Sequence, residues 1–392
     1  MGDGSVKFVE QNLLNTDLTL NLSQNIPWTG GSLFLETSAQ RMDLFSEHKY
    51  SWQTSPIMIG YRQSLFGYNS LKWDKRIEPV RYQEAKKSYV ETLELVSANA
   101  INKFFALATA QSNYDIASFN YANADTLYRY AQGRYNIGTI TENEMLQLEL
   151  NRLTEETNRM NARIEMDNCM QELRSYLGIQ EEREIRVRVS SRIPDFSINL
   201  NEALALAYEN SPDIQTMKRR KLESESAVAR ARANAGLKAD IYLRFGLTQT
   251  ADKLPEAYRN LLDQQYVSLS ISLPILDWGR GKGQVRVARS NRDLVYTQVE
   301  QNRTDFELNV RKLVKQFNLQ TQRVRIAART DETAQRRNEV ARKLYILGKS
   351  TILDLNASIS EKDSARRNYV SALYNYWSLY YTLRSMTLYD FE

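Results

Sequence analysis

Strict alternation of apolar and polar residues marks the stretch Tyr266-Val267-Ser268-Leu269-Ser270-Ile271-Ser272-Leu273-Pro274. Successive side chains of a β-strand point to opposite faces, so this stretch predicts a strand with one apolar face and one face of serines. The stretch Ile241–Thr248 alternates in the same way and places Arg244 on its less apolar face. The polar segment Ala251–Gln265 lies between the two, and we therefore expect a β-hairpin over residues 241–274.

The chain contains an internal repeat with a fixed offset of 210 residues. Identical residues at this offset include Tyr135 and Tyr345, Gly138 and Gly348, Thr141 and Thr351, and the triplets Leu173-Arg174-Ser175 and Leu383-Arg384-Ser385. A repeat of this length indicates duplication of a whole structural unit. The offset predicts another hairpin over about 31–64, with strands Ser32–Ser38 and Ile57–Gln63 and a connection over about Ala39–Pro56. A further alternating stretch, Leu18–Ser23, has no partner in the repeat.

Long stretches without helix-breaking residues follow both hairpins. Proline is absent from Val80 to Ile193 and from Ile275 to Glu392. We expect helices over residues 74–136 and 141–177 in the first half and over 281–347 and 351–388 in the second. A helix of about 65 residues is roughly 100 Å long, and it persists by packing against similar helices as an antiparallel coiled coil. The predicted fold class is α+β and mostly helical.

The segment between the halves has its own pattern. Residues Glu184–Val189 alternate and predict a short strand, and residues 198–239 predict a helix capped by Asn199 or Asn201. The predicted boundaries are a first repeat over 1–178, a linker over 179–195 and a second repeat over 196–392. The equivalent of the helix over 198–239 would lie before residue 1. We therefore expect the natural gene to encode an additional helix and a signal peptide upstream.

Composition excludes several classes of protein. With a mean hydropathy of -0.54 and 25% charged residues, the chain has no run approaching the roughly 18 apolar residues of a membrane-spanning helix. The net charge of +5 is spread among interspersed acids and bases, unlike a nucleic-acid footprint. The single cysteine, Cys169, cannot form an intramolecular disulfide and is typical of a small core residue. The single histidine, His48, argues against a histidine-based metal site or catalytic triad.

We also find no sequence pattern of an enzyme. The glycine-rich segment Gly279–Gly283 lacks the serine or threonine that follows the lysine of a phosphate-binding loop. It is better interpreted as a flexible joint or as a basic collar near lipid headgroups. We therefore expect no catalysis, no cofactor and no metal.

Four predicted strands with one apolar face leave two alternatives open. They could form a soluble sheet that caps a coiled-coil scaffold or spacer, but no separate apolar element is available to cover them. Alternatively, the apolar faces contact lipid, and oligomerisation closes the edges because the hydrocarbon core offers no partner to unpaired backbone groups. Two copies would give about 8 strands and three about 12. Ser268, Ser270, Ser272 and Arg244 would then line a polar lumen.

Four segments resemble the TolC-like outer-membrane efflux proteins. They are Gln63–Trp73, Leu273–Gly279, the repeat opening Asn201–Ile214 and the turn Tyr345–Asp354. The resemblance covers nearly the whole chain, in the right order and in both halves. It implies a homotrimer in the outer membrane of a Gram-negative bacterium, with a 12-stranded barrel continuing into a periplasmic α-helical tunnel. It also implies a passive export duct that a periplasmic adaptor joins to an inner-membrane transporter, with Glu182–Val189 in an equatorial belt.

The resemblance also places a periplasmic gate at the two helix-turn-helix tips, which include Gly138 and Gly348. Tyr345 matches the gate tyrosine of the family, and Glu144 stands where the first half has an acidic partner. Asp354 matches the first of two lumenal aspartates, whereas the second position is Ala357. Where many members have a gate arginine this chain has Ser350, next to Lys349. From the residues alone, the glycines permit a left-handed turn, and Asp354 is an acid favoured by the helix dipole.

Overall fold

The computed structural model describes residues 12–181, 183–190, 192–347 and 349–391. Within these residues the chain is mostly helical and has one antiparallel sheet, as predicted. Its elements in chain order are β1 (Leu13–Asn25), β2 (Ser32–Leu44), β3 (Lys49–Ser64), α1 (Ser70–Asn136), α2 (Glu142–Tyr176), α3 (Leu200–Asn210), α4 (Pro212–Ala235), β4 (Lys238–Ala251), β5 (Leu262–Ser272), α5 (Arg280–Ile346) and α6 (Ile352–Thr387).

The internal repeat is visible in the helices. Both α1 and α5 contain 67 residues, and they begin at Ser70 and Arg280, which are separated by the repeat offset. The helices that follow them, α2 and α6, begin at Glu142 and Ile352, again at the same offset. The four long helices were therefore predicted to within a few residues at each end.

The sheet contains five strands in the order β1-β2-β3-β4-β5, so the prediction of four strands is wrong. The alternating stretch Leu18–Ser23 lies within β1, which pairs with β2 in an antiparallel register that sets Leu20 opposite Thr37. The chain reverses between β1 and β2 at Gly30, whose φ of 77° is accessible to glycine at little cost. The repeat gave no sign of this strand because β1 has no counterpart in the second half.

The connection predicted over Ala39–Pro56 is mostly strand. Only residues 45–48 separate β2 from β3. The register shifts between Glu36 and Ser38 in β2 and between Thr54 and Ile57 in β3. A bulge changes the face to which later side chains point, so the alternation that identifies a strand is interrupted while its hydrogen bonding continues.

The helix predicted over 198–239 is two helices and the start of a strand. Its N-cap is Asn199, whose side chain accepts a hydrogen bond from the Asn201 N–H at 2.9 Å, as one of the two predicted alternatives had it. The helix ends at Asn210 because Ser211 is extended (ψ 135°) and Pro212 has no N–H to continue the ladder. The Ser211 hydroxyl then accepts the Asp213 N–H at 3.2 Å, at the start of α4.

The strand predicted over Glu184–Val189 is absent, since residues 183–190 have no regular secondary structure and pair with no strand of the sheet. The side chain of Gln111 on α1 instead bonds the backbone of this segment. It donates to the Ile185 carbonyl at 2.8 Å and accepts a hydrogen bond from the Val187 N–H at 3.1 Å. Ile185 and Val187 also contact the cluster of Leu107, Ala110, Met166 and Leu173 between α1 and α2. Half-buried Cys169 packs on the same cluster as a free thiol.

The chain divides into two compact units, each built from parts of both repeats. Unit 1 comprises Met1–Glu84 and Gln215–Asn302 and contains the sheet, the first turns of α1 and α5, and most of α4. Unit 2 comprises Ala85–Ile214 and Arg303–Glu392 and contains the remaining helical residues. Phe317, Tyr376 and Leu383, all fully buried, lie in the core of unit 2. No helix among the described residues is both long and apolar enough to cross a membrane.

Candidate functional site

One face of the sheet in unit 1 is apolar and exposed. The pairing register sets Leu22, Leu35, Ile59 and Phe245 side by side across four strands. Their side chains are between 40% and 61% exposed, and Val267, Leu269 and Ile271 of β5 are between 60% and 66% exposed. Monomeric soluble proteins seldom leave so many adjoining apolar side chains uncovered, which indicates a contact surface.

The opposite face carries the four residues predicted to line a lumen. Ser268, Ser270 and Ser272 pair with Tyr242, Asp240 and Lys238, and Arg244 pairs with Tyr266, so the four predicted residues share one face. The guanidinium of Arg244 lies 3.8 Å from the carboxylate of Glu36 on β2. This face therefore presents hydroxyls and a partly exposed ion pair.

Two glycines allow this polar face to pack tightly. The ring of Phe34 lies over Gly60, where an added Cβ would come within 2.1 Å of it, and stacks on Tyr242 at 5.7 Å between ring centroids. The Met58 side chain covers Gly246 in the same way. Phe34 and Met58 are consequently buried on a face that its sequence marks as polar or small. Large side chains beside glycines stabilise neighbouring strands and strengthen their register.

The tip between α1 and α2, in unit 2, is a capped turn. Gly138 has a φ of 73°, and its N–H donates to the Tyr135 carbonyl at 2.8 Å, closing the end of α1. Thr141 caps α2: its hydroxyl accepts the Glu144 N–H at 3.3 Å, and the Glu144 carboxylate accepts the Thr141 N–H at 2.9 Å. Glu144 is thus held at the tip by a reciprocal capping box.

The tip between α5 and α6 repeats this arrangement. The Thr351 hydroxyl accepts the Asp354 N–H at 3.2 Å and donates to the Asp354 carboxylate at 2.8 Å. Ser350 donates to the same carboxylate at 3.4 Å. Lys349 is exposed and forms no ion pair among the described residues, and Gly348 lies outside them.

These contacts favour the ionised form of Asp354. The Thr351 hydroxyl, followed by the Thr351 N–H, lowers the pKa of the Asp354 carboxyl, and the charge of Arg337 acts in the same direction. The side chain remains exposed to solvent. The helix-capping interpretation of Asp354 accounts for its hydrogen bonds with Thr351, and its negative charge remains available at the tip.

Tyr345 lies beside a cavity rather than at the turn itself. The cavity holds about 260 Å³, and α1, α5 and α6 form its walls. Its lining is mostly apolar and consists of Asn123, Thr126, Leu127, Tyr130, Asn338, Arg342, Tyr345, Leu355 and Ile359. The half-buried ring of Tyr345 therefore contributes to packing between the three helices above the tip.

Sequence reasoning missed the residues that hold the two acids in place. Thr141 and Thr351 stand three positions before Glu144 and Asp354, and a threonine followed by an acid at this spacing is a recognisable start of a helix. The contribution of Tyr130 and Arg342 to the cavity had no such signal, because α1 and α5 are far apart in the sequence.

Comparisons with known proteins agree with this geometry. Residues 203–387 match the family described as outer membrane efflux protein, and a comparison with curated protein sequences finds no match. Among solved structures, the chain is similar to the CmeC outer membrane channel of Campylobacter jejuni (TM-score 0.68, 14% identity, 96% of this chain and 77% of that one). It is also similar to the outer membrane protein VceC of Vibrio cholerae (TM-score 0.67, 14% identity, 97% and 88%) and to the open state of the MtrE outer membrane channel of Neisseria gonorrhoeae (TM-score 0.67, 12% identity, 96% and 80%).

Proposed function

We propose that this protein is the outer-membrane exit duct of a tripartite exporter, because residues 203–387 match the outer membrane efflux protein family. The family places it in the outer membrane with its helices in the periplasm, and both family and fold are those of channels rather than enzymes. The duct is passive and uses no cofactor. A periplasmic adaptor joins it to an inner-membrane transporter, which supplies the energy.

The observation that carries this proposal is the sheet with two different faces. The exposed apolar face fits hydrocarbon, and the face with Ser268, Ser270, Ser272 and Arg244 fits a water-filled lumen. A soluble scaffold would leave the apolar face in water, at a cost of roughly 25 cal/mol for each Å² that lipid would otherwise cover. The alternative interpretation as a spacer is therefore disfavoured.

The sheet must close on copies of itself, since open edges are not tolerated within a bilayer. Three protomers that each contribute β2–β5 form a 12-stranded barrel, in which β5 of one copy runs antiparallel to β2 of the next. Keeping β1 in the wall would instead set β5 parallel to the next copy's β1, because the outer strands of a five-stranded antiparallel sheet run in the same direction. The 12-stranded barrel thus requires β1 to leave the edge of β2.

A disulfide across β1 and β2 tests this arrangement. Leu20 and Thr37 are register partners, so Leu20→Cys and Thr37→Cys in a Cys169→Ser background can lock β1 in place when oxidised. We expect the reduced protein to be trimeric by native mass and the oxidised protein to remain monomeric. If the oxidised protein forms a trimer as readily as the reduced protein, the 12-stranded barrel is excluded. If the protein is monomeric in both states, the result counts against the duct.

At the tips, three Asp354 carboxylates converge to form a cation-selective constriction. Two features support this role: Asp354 is exposed, and its capping contacts favour the ionised form of its carboxyl group. Glu144, Tyr345, Lys349 and Ser350 complete the gate. The arginine-centred ion pair of many relatives is replaced here by the hydroxyl contact of Ser350.

Block of single-channel current by trivalent cations tests the constriction. We expect Asp354→Ala to weaken the block, because the three charges that bind the cation are gone. Thr351→Ala is the matched control, since it removes the capping hydroxyl but keeps the charge. Equal block in Asp354→Ala and the unmodified protein would remove Asp354 from the pore, and equal loss in both variants would assign the effect to the cap.

A further inference from the structure

The segment that joins β5 to α5 exposes apolar side chains without any strand pairing. Ile275 is 93% exposed, Trp278 89% and Leu276 69%. The exposed fractions of Ile275 and Trp278 exceed those of the apolar side chains on the exposed face of the sheet, where Leu18 reaches 77%. The proposed duct function does not by itself require an exposed tryptophan at this position.

The turn that carries these side chains is held in place. The Asp277 carboxylate accepts the Gly279 N–H at 2.9 Å and the Gly281 N–H at 2.8 Å, which caps the first turn of α5. Trp278 has a φ of 54°, a backbone conformation that large side chains rarely adopt. Such a conformation persists only where surrounding contacts enforce it, so the hydrogen bonds of Asp277 hold the turn that exposes the indole.

A cationic stripe follows immediately on α5. Arg280, Lys282, Arg286 and Arg289 are all exposed, and the sequence from Arg280 to Asn291 contains no acid. The last three residues recur at helical spacing and share one side of α5. None of the four forms an ion pair among the described residues. The acids that flank this stretch in the sequence are already engaged, Asp277 with the two backbone N–H groups and Asp293 with Arg292 at 2.7 Å.

The order of these features matches the layers of a bilayer. The apolar face of β5 contacts hydrocarbon, the loop over residues 273–279 follows with its exposed apolar and aromatic side chains, and the cations come last. Tryptophan favours the boundary between acyl chains and headgroups, and basic residues just beyond it favour anionic headgroups. Along the chain the cations follow directly on the lipid-facing strand β5 and its loop, and they are opposite in charge to lipid phosphate.

The first repeat provides an internal comparison. Lys72 and Arg76 occupy the positions equivalent to Lys282 and Arg286. There, however, Asp74 and Glu78 stand among the cations, and the Arg76 guanidinium lies 4.7 Å from the Trp73 ring centroid and 3.7 Å from the Glu225 carboxylate. Of these two equivalent segments, both within the described residues, the one in the second repeat presents a stripe of cations without acids among them.

We propose that Trp278 and the stripe Lys282, Arg286 and Arg289 form a binding site for anionic phospholipid in the leaflet that faces the periplasmic helices. The guanidinium and ammonium groups bind the lipid phosphate, and Trp278 lies against the glycerol region and upper acyl chain. The site rests on the proposed membrane duct, and it adds a preference for one class of lipid. It would fix the height and the rotation of each protomer in the membrane.

Quenching of tryptophan fluorescence by brominated lipid tests the site. The full chain in neutral detergent micelles is titrated with phosphatidylglycerol or phosphatidylcholine that carries brominated acyl chains, and Trp278→Phe identifies the share of quenching due to Trp278. We expect at least tenfold tighter binding of phosphatidylglycerol, since each cation contributes about 1 kcal/mol near an anionic surface. Salt at 1 M should remove the preference, and millimolar inorganic phosphate should not compete.

The variant K282Q/R286Q/R289Q should bind both lipids equally, whereas the matched variant K72Q/R76Q should keep the preference. Equal quenching of the unmodified protein by both lipids would overturn the site while leaving the duct intact. Retention of the preference in the triple variant would overturn the assignment to these residues. Absence of quenching by either lipid would place the loop away from the bilayer and contradict the duct as well. The salt dependence of the unmodified protein tests the charge contribution even if the triple variant fails to fold.

Discussion

Arginine substitutions along β5 should cost stability in a pattern that depends on both face and depth. The strand contains 11 residues, and at about 3.4 Å per residue and a tilt of about 40° it spans roughly 28 Å along the membrane normal. Val267 is its middle residue on the lipid-facing side, so Val267→Arg should cost about 2–4 kcal/mol. Ile271 lies about 10 Å from the middle, where the cost falls to about 1 kcal/mol. Ser268→Arg, on the opposite face, should be nearly neutral.

Guanidinium unfolding of the protein in phosphatidylcholine vesicles measures these differences, with tryptophan emission as the signal. The expected cost at Val267 corresponds to a 30- to 900-fold change in the ratio of folded to unfolded protein, well outside experimental error. Equal costs for Val267→Arg and Ser268→Arg would refute the assignment of the two faces. A cost that does not decline from Val267 to Ile271 would refute the depth and hence the membrane span.

Three further outcomes are expected. Thr351→Ala should cost about 1 kcal/mol at the start of α6, seen as faster amide exchange there, and unchanged exchange would deny the cap. Arg219→Gln should destabilise unit 1 by roughly 1.5–3 kcal/mol because Glu84 loses its charge-assisted hydrogen bonds. Since the Arg219 hydrogen bond lowers the pKa of Glu84 in the folded protein, this stability is complete above the ordinary pKa of 4.5 and is lost as the pH falls through the folded value. The variant should therefore lose less stability on acidification, and parallel profiles would contradict the pairing. Gly60→Ala should destabilise the sheet and Phe34→Ala should partly rescue it, whereas additive effects in the double mutant would show that the ring and the glycine are not in contact.

The long helices were predictable because the sequence features that indicate them, the repeat and the scarcity of proline, extend over many residues. The repeat offset and the long stretches without proline located α1 and α5 to within a few residues at each end, although α1 itself contains Pro79 near its start. The prediction of one helix over 198–239 followed the apolar pattern and overlooked a break. Pro212 marks that break, because proline disrupts the hydrogen bonding of a helix, and it separates α3 from α4.

The strands were harder to predict because pairing decides them. The bulges near Ser38 and Thr54 interrupt the alternation, so the pattern ends before the strand does. Residues 184–189 alternate well and yet form no strand, and the Gln111 side chain bonds two of their backbone groups, the Ile185 carbonyl and the Val187 N–H. Alternation reports which face of a segment is buried, and it does not report whether a neighbouring strand exists.

The tips show a similar limit. The identity of Glu144 and Asp354 as tip acids could be read from the repeat, and their capping threonines could have been read from the spacing. The cavity beside Tyr345 depends on Tyr130 and Leu355 from two other helices, and a contact of this kind follows only from the packed structure.

Thiol labelling of intact cells tests the central claim most directly. In a Cys169→Ser background, Glu47→Cys places a thiol in the connection between β2 and β3, and Lys349→Cys places one at the tip between α5 and α6. A duct with its sheet in the outer membrane predicts that a membrane-impermeant maleimide labels Glu47→Cys in intact cells and labels Lys349→Cys only after the outer membrane is permeabilised. Labelling of Lys349→Cys in intact cells, or protection of Glu47→Cys until the cells are broken, would contradict it.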